Sequence, residues 1–263
     1  MMNYFDRFEN QITITGELVT ETPLHIGASE DELFGVDNQV MKTVDGKPII
    51  PGSSLKGILR TYMERIGQAG ILDHGEYKKP CITSEKMCLT EVNNKEKRNQ
   101  LKEISEEHYY DYIATQSCPI CHLFGNPLRA AKVSISDSTV KGNWINQYEV
   151  RMGVSIDRDT GTAVKNALYD FEVVPASTVF TFEVQCENVS PLELRWLLIG
   201  LESLRKGNLK VGGKVARGLG KIHGENWEVQ VIDKENFFTS ILDESAHRKS
   251  FDTFLKETLS EVD

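Results

Sequence analysis

The sequence has no apolar run long enough to cross a bilayer. Its longest, residues 196–201, falls far short of the ~20 residues a membrane helix needs. The N-terminal stretch MMNYFDRFENQ carries charges where a secretory signal needs an apolar core. A soluble, non-exported, cytoplasmic protein with no membrane partner is therefore expected. Cysteine is scarce and odd in number: Cys81, Cys88, Cys118, Cys121 and Cys186. In a non-exported chain this argues against a disulfide framework. Basic charge is in deficit, with 30 Lys and Arg against 39 Asp and Glu, a net of −9. That balance disfavours indiscriminate polyanion binding. No sustained internal repeat and no low-complexity segment is present.

The 263 residues, 40% of them apolar, suffice for a packed core in one large domain, or a small one with sizeable insertions. Their charge is unevenly placed. Residues 225–263 hold ten acidic and four basic side chains. Residues 195–221 hold seven basic and one acidic, a net of +6. Attraction to phosphate follows the local patch rather than the total, so a nucleic-acid partner stays open. Four of the five cysteines also cluster, between Cys81 and Cys121.

Apolar alternation predicts a strand over residues 12–19. Short strands over 40–43 and 48–50 flank an Asp45-Gly46 turn. Pro51-Gly52-Ser53-Ser54 opens a helix, with Ser53 or Ser54 as cap and Leu55, Leu59, Tyr62, Met63 and Ile66 as its apolar stripe. Residues 70–122 break the rhythm and read as an insertion. Strands resume over 132–137, 150–156 and 178–185. Ser190-Pro191-Leu192-Glu193 is a capping box with proline at the first helical position. Leu194, Leu197, Leu198, Leu201 and Leu204 supply that helix's stripe, and Gly207 stops it. A last strand follows over 221–231, then a peripheral helix over 247–259. This order fits an α+β chain with a ferredoxin-like core and insertions.

Several constellations could carry chemistry. In GGKVARGLGK, residues 212–221, Gly212, Gly213, Gly218 and Gly220 let a ligand approach the backbone, while Lys214, Arg217 and Lys221 supply charge. Four glycines exceed what a tight turn needs, which favours a phosphate cradle. Lys56 and Arg60, four apart, share a face of the first helix near its anion-attracting N-terminus. Cys118 and Cys121 form a Cys-x-x-Cys knuckle, and Cys81 and Cys88 offer a second pair. Together they could close a tetrahedral Zn2+ site, with His74, His108 and His122 as substitutes. A redox dithiol and buried free thiols are the rivals. Structural zinc ranks first because a polar insertion needs folding energy that metal can supply. His25 reads as structural. Asp157, Asp159 and Gly161 resemble a calcium loop faintly and read better as a turn.

PGSSLKGILR, the CHLFG of residues 121–125, SIDRDTGTAVKNALYDFEVVPASTVF and GGKVARGLGKI recur in this order in the RAMP superfamily of CRISPR-associated proteins. The chain resembles the backbone subunit of type III effector complexes over most of residues 12–225. The resemblance implies a modified ferredoxin-like, RNA-recognition-motif-like core over residues 12–69 and 123–231 of a single RAMP-type domain. It implies an insertion over 70–122 that holds zinc in some relatives, a β-hairpin thumb at about 150–172, and an acidic C-terminal extension over 232–263. It implies binding of CRISPR RNA and target RNA, beside copies of itself and other effector subunits. Ser53, Ser54, Lys56, Arg60, Arg151, Arg158, Gly212, Gly213, Lys214, Arg217, Gly218 and Lys221 would hold RNA. The loop FGVDNQVMK is similar to the family's cleavage loop, and the family's aspartate falls on Asp37. That aspartate implies Mg2+- or Mn2+-dependent endoribonuclease activity. Relatives often carry Ser-Pro next, where this chain has Asn38-Gln39. A non-catalytic RNA-binding scaffold is the alternative.

Overall fold

A computed structural model describes residues 7–28, 37–72, 75–83, 87–90, 99–100, 103, 105–145, 147–243 and 246–260. The chain begins with the long strand β1 (Asn10–Thr20) and the short β2 (Ile49–Ile50), followed by helix α1 (Gly52–Gln68). Helices α2 (Glu106–Gln116) and α3 (Pro119–Phe124) lead to the short strands β3 (Val133–Ile135) and β4 (Ser138–Thr139). Strands β5 (Glu149–Ile156) and β6 (Ala163–Val173) form a hairpin. Then come β7 (Val179–Glu187), helix α4 (Pro191–Arg205) and β8 (Ile222–Asp233). The chain closes with α5 (Phe237–Leu242), β9 (Arg248–Ser250) and α6 (Phe251–Ser260).

The result is a mixed α/β chain around a central antiparallel sheet, in the order β3-β7-β1-β8-β9. Alternation along β1 drives this. Ile12, Ile14 and Leu18 are buried on one face, while Thr13, Thr15 and Glu17 lie on the other. β7 follows suit with Phe180, Phe182 and Val184 inward. Against the apolar face sit Leu55, Leu59 and Met63 of α1 and Leu197, Leu201 and Leu204 of α4. Each such fully buried side chain contributes about 2 kcal/mol of hydrophobic stabilisation.

The capping box of α4 forms in full. The Glu193 N–H donates to Ser190 Oγ at 3.3 Å, and the Ser190 N–H donates to Glu193 Oε2 at 2.8 Å. α1 differs from expectation. It starts at Gly52 with no side-chain cap from Ser53 or Ser54. Instead Asp137 Oδ1 accepts the Gly52 N–H at 2.8 Å, which leaves both serines turned to the surface described below. The expected final helix is shorter at its start. Residues 248–250 pair with β8 as an edge strand before α6 begins, and Phe251 and Phe254 anchor that helix in the core.

The cysteine-bearing segment is split between two environments. Cys118, Ile120, Cys121 and Leu123 belong to the main core. Leu89, Tyr109 and Ile113 form a small cluster apart from it. The β5–β6 hairpin pairs only within itself in the sheet ladders and exposes Met152, Ile156 and Leu168. At its tip Asp157 Oδ1 accepts the N–H groups of Asp159 and Thr160 at 3.0 and 2.8 Å. A carboxylate so engaged caps a turn. No described helix is long and apolar enough to cross a membrane.

Candidate nucleic-acid interface and metal centre

A groove of about 610 Å³ runs between the first turns of α1 and the glycine-rich loop. Ser53, Ser54, Gly57, Thr61 and Arg65 line one side, at spacings that place them on a single helix face. Lys210, Gly212 and Gly213 line the other. Gly212 has φ +83°, and a Cβ there would stand 2.4 Å from His25 O, so only glycine lets the two loops touch. The Gly213 N–H donates to that same oxygen at 2.8 Å. Gly220, at φ +80°, meets the same limit against Val211 O, 2.1 Å from its would-be Cβ.

The loop's cations are placed unequally. Lys214 Nζ lies 4.7 Å from the Phe171 ring centre and Arg217 Cζ lies 5.5 Å from that of Tyr169, both at the base of β6. Lys221 pairs with Glu21. Lys56 and Arg60 do not line the groove. They occupy the next face of α1, where burial, then the Arg60 charge, lowers the Lys56 pKa. The Arg60 guanidinium donates to Glu64 Oε1 and Gly125 O, both at 3.0 Å, and lies 3.9 Å from Cys121 Sγ. Arg151 and Arg158 are exposed on the hairpin, with Arg151 3.4 Å from Glu149. Sequence reasoning missed Thr61, Arg65 and Lys210. The recurrence of small or polar residues at 54, 57, 61 and 65 was the available signal.

Asp37 is exposed and clasped to β6. Its N–H donates to Asp170 Oδ1 at 2.7 Å, and the Asp170 N–H donates to Asp37 Oδ2 at 3.1 Å. The segment that follows zips onto the same strand. Asn38 Nδ2 donates to Asp170 O at 3.3 Å and the Glu172 N–H donates to Asn38 O at 2.9 Å. The Glu172 carboxylate accepts the Val40 N–H at 3.1 Å and pairs with Lys42 at 2.9 Å. Phe34, Gly35 and Val36 of the expected cleavage loop lie outside the described residues. His25 sits behind this strip, 5% exposed. Its Nδ1 is 2.7 Å from Glu172 O, a pure acceptor, which fixes the proton on Nδ1. Burial first, then the Lys214 charge, lowers its pKa, so the ring is neutral and holds the strip in place.

Four thiols converge between α1 and α3. The Sγ atoms of Cys81, Cys88, Cys118 and Cys121 all lie within 4.8 Å of one another. Cys81 and Cys121 are 3.4 Å apart and Cys81 and Cys118 are 3.7 Å apart. These spacings exceed the ~2.05 Å of a disulfide. They suit a tetrahedron with ~2.3 Å metal–sulfur bonds, whose edges are ~3.8 Å. Hydrogen bonds from Cys121 and Cys81 push the Cys118 pKa down, while the contact with Cys118 pushes that of Cys121 up. Among the described residues this is the one group of three or more such side chains placed to hold a metal ion. The substitute histidines are engaged elsewhere: His108 with Ser105, and His122 with Ala114 O and Glu193. His74 lies outside the described residues. Cys186 is fully buried in the core.

The pattern that defines the RAMP superfamily matches residues 17–223. Three curated proteins, each named CRISPR system Cms endoribonuclease Csm3, are similar to the chain. The one from Methanocaldococcus jannaschii is 27% identical, covering 81% of this chain and 78% of its own length. That from Streptococcus thermophilus is 26% identical, covering 84% and 90%. That from Methanothermobacter thermautotrophicus is 28% identical, covering 85% and 87%.

Proposed function

The chain belongs to the RAMP superfamily, and we propose that it is the backbone subunit of a type III CRISPR effector complex, one that holds CRISPR RNA and cuts complementary target RNA. The groove between α1 and the glycine-rich loop carries this reading. Backbone N–H groups, serine hydroxyls and the charges of Arg65 and Lys210 face one channel, which suits a phosphodiester backbone read by shape. The β5–β6 hairpin is the thumb, with Arg151 and Arg158 available to the guide–target duplex. Sequence specificity belongs to base pairing, the logic of RNA-guided recognition in general. The sheet order supports a ferredoxin-like core: β3, β7, β1 and β8 stand as its second, third, first and fourth strands. Other copies of the chain and other effector subunits are the protein partners.

Asp37 is the catalytic residue in this reading. Its Oδ1 has no partner among the described residues and faces solvent, free to orient or deprotonate the 2′-hydroxyl beside a scissile phosphate. A bound Mg2+ or Mn2+ would supply charge stabilisation at the phosphate. The four cysteines would hold a structural Zn2+, which adds folding free energy where the insertion meets the core. The alternative, a non-cleaving scaffold, has one specific support: Asp37 Oδ2 is already engaged by β6.

One experiment separates the two. The assembled complex receives complementary RNA and Mg2+, with wild-type chain or Asp37→Ala. Loss of cutting with retained binding is expected. Equal cutting by both, or by neither, refutes the catalytic role of Asp37 and leaves the scaffold.

A further inference from the structure

A second cavity, of about 680 Å³, opens far from the RNA groove. β1 measures the separation. Asn188, on the cavity wall, donates its N–H to Asn10 O at the start of that strand, while the groove lies past its other end, where the Gly220 N–H meets Pro23 O. Eleven extended residues span roughly 35 Å.

The cavity's charges do not balance. Arg129, Lys132 and Arg195 all line it. The buried carboxylate beside them is Glu193, which Lys132 contacts at 2.7 Å and His122 at 3.0 Å. Glu76 lies exposed at the rim. Arg195 Nε is shielded from solvent and has no acceptor among the described residues. Ser190, Pro191 and Leu192 also line the space, so the positive end of the 15-residue α4 faces it. Buried guanidinium N–H groups are normally satisfied, and an orphan calls for an acceptor. Arginine pairs best with planar or tetrahedral oxyanions. Pro191, Leu192 and Ala114 offer apolar wall for an organic body, and the volume falls in the ~300–1,000 Å³ range of small-molecule sites.

We infer that this cavity is a second anion site, taking a phosphate group, free or carried as the phosphomonoester of a small molecule such as a nucleoside. Its ligand is distinct from the guide in place and in size. The inference is independent of whether Asp37 cuts RNA.

The test uses the full chain, with its metal, titrated with inorganic phosphate, adenosine monophosphate and adenosine at ionic strength matched with chloride. Phosphate and the monophosphate should raise the melting temperature by ~2 °C or more near saturation, and adenosine should not. Tighter binding of the monophosphate identifies a phosphomonoester, and equal binding identifies phosphate itself. Arg195→Ala should weaken binding at least tenfold. Thr115→Glu, at an exposed position on the rim, should do the same by setting a carboxylate in the mouth. Both variants should keep guide-RNA affinity. Lys214→Ala, in the groove loop, should keep the phosphate response. No stabilisation beyond chloride overturns the inference. So does a response that survives Thr115→Glu but disappears in Lys214→Ala, since the phosphate would then sit in the groove. Should Arg195→Ala fail to fold, the wild-type titration and Thr115→Glu decide.

Discussion

Asp37 and Asp170, 133 residues apart in sequence, exchange hydrogen bonds: each backbone N–H donates to the other's carboxylate, at 2.7 and 3.1 Å. The exchange ties the loop that bears the proposed catalytic group to the base of the thumb hairpin. Asp170→Ala removes the acceptor for the Asp37 N–H without touching the reactive carboxylate. Guide and target binding should persist, while the rate of target cutting falls ~10- to 100-fold, the usual cost of a misplaced catalytic group. Single-turnover cleavage by the assembled complex measures it. An unchanged rate would mean that Asn38 and Glu172 hold the loop unaided.

Arg60 offers a contrast between motif and placement. Its spacing from Lys56 suggests a phosphate contact, yet its guanidinium reaches Glu64, Gly125 O and the Cys121 sulfur. A cluster of thiolates around a metal carries excess negative charge, and a cation beside it offsets part of that charge. Arg60→Ala should lower zinc affinity ~10- to 100-fold, as losses of supporting contacts commonly do. Competition with a chromogenic chelator reads this. At saturating zinc, guide affinity should remain near wild type. A loss of RNA binding with unchanged zinc retention would return Arg60 to the RNA side.

The residues that do face the groove make a complementary prediction. Arg65 and Lys210 stand on opposite walls. Each Ala substitution should weaken guide binding regardless of sequence. It should also reduce the magnitude of the slope of log affinity against log salt by roughly 0.7 per phosphate contact on single-stranded RNA. Fluorescence anisotropy over a salt series gives the slope. An unchanged slope in both variants would place the guide elsewhere.

What the sequence made legible was local. The capping box at Ser190 and Glu193 needs three residues and forms as read. The alternation that marks β1 and β7 fixes their buried faces. The four cysteines assemble because α3 carries a tight knuckle that presents Cys118 and Cys121 together. The misreadings share one cause, which is that tertiary neighbours decide between locally equal options. Ser53 and Ser54 are good caps, but Asp137 arrives from another segment and takes the position. Residues 248–250 have no alternation to announce a strand, and only the open edge of β8 recruits them. Periodicity puts Lys56 and Arg60 on one face of α1 without saying whether groove or thiols lie opposite.

Glu193 joins the far cavity to the core and gives the fold an acid limit. It is fully buried, and burial by itself would raise its pKa above the ordinary 4.5. The hydrogen bond from His122 and the charge of Lys132 outweigh burial and hold it at about 2. A carboxylate whose pKa is lower folded than unfolded binds fewer protons in the native state. Its contribution is therefore complete above the unfolded value and is lost as pH falls from about 4.5 toward about 2. Glu193→Gln removes that titration, so stability should depend less steeply on pH within that window. It also leaves the buried Lys132 ammonium without its counter-ion, at a cost of about 3 kcal/mol at neutral pH. Urea unfolding at a series of pH values tests both. A Glu193→Gln variant as stable as wild type at neutral pH, with an unchanged acid slope, would show that neither Lys132 nor His122 relies on this carboxylate.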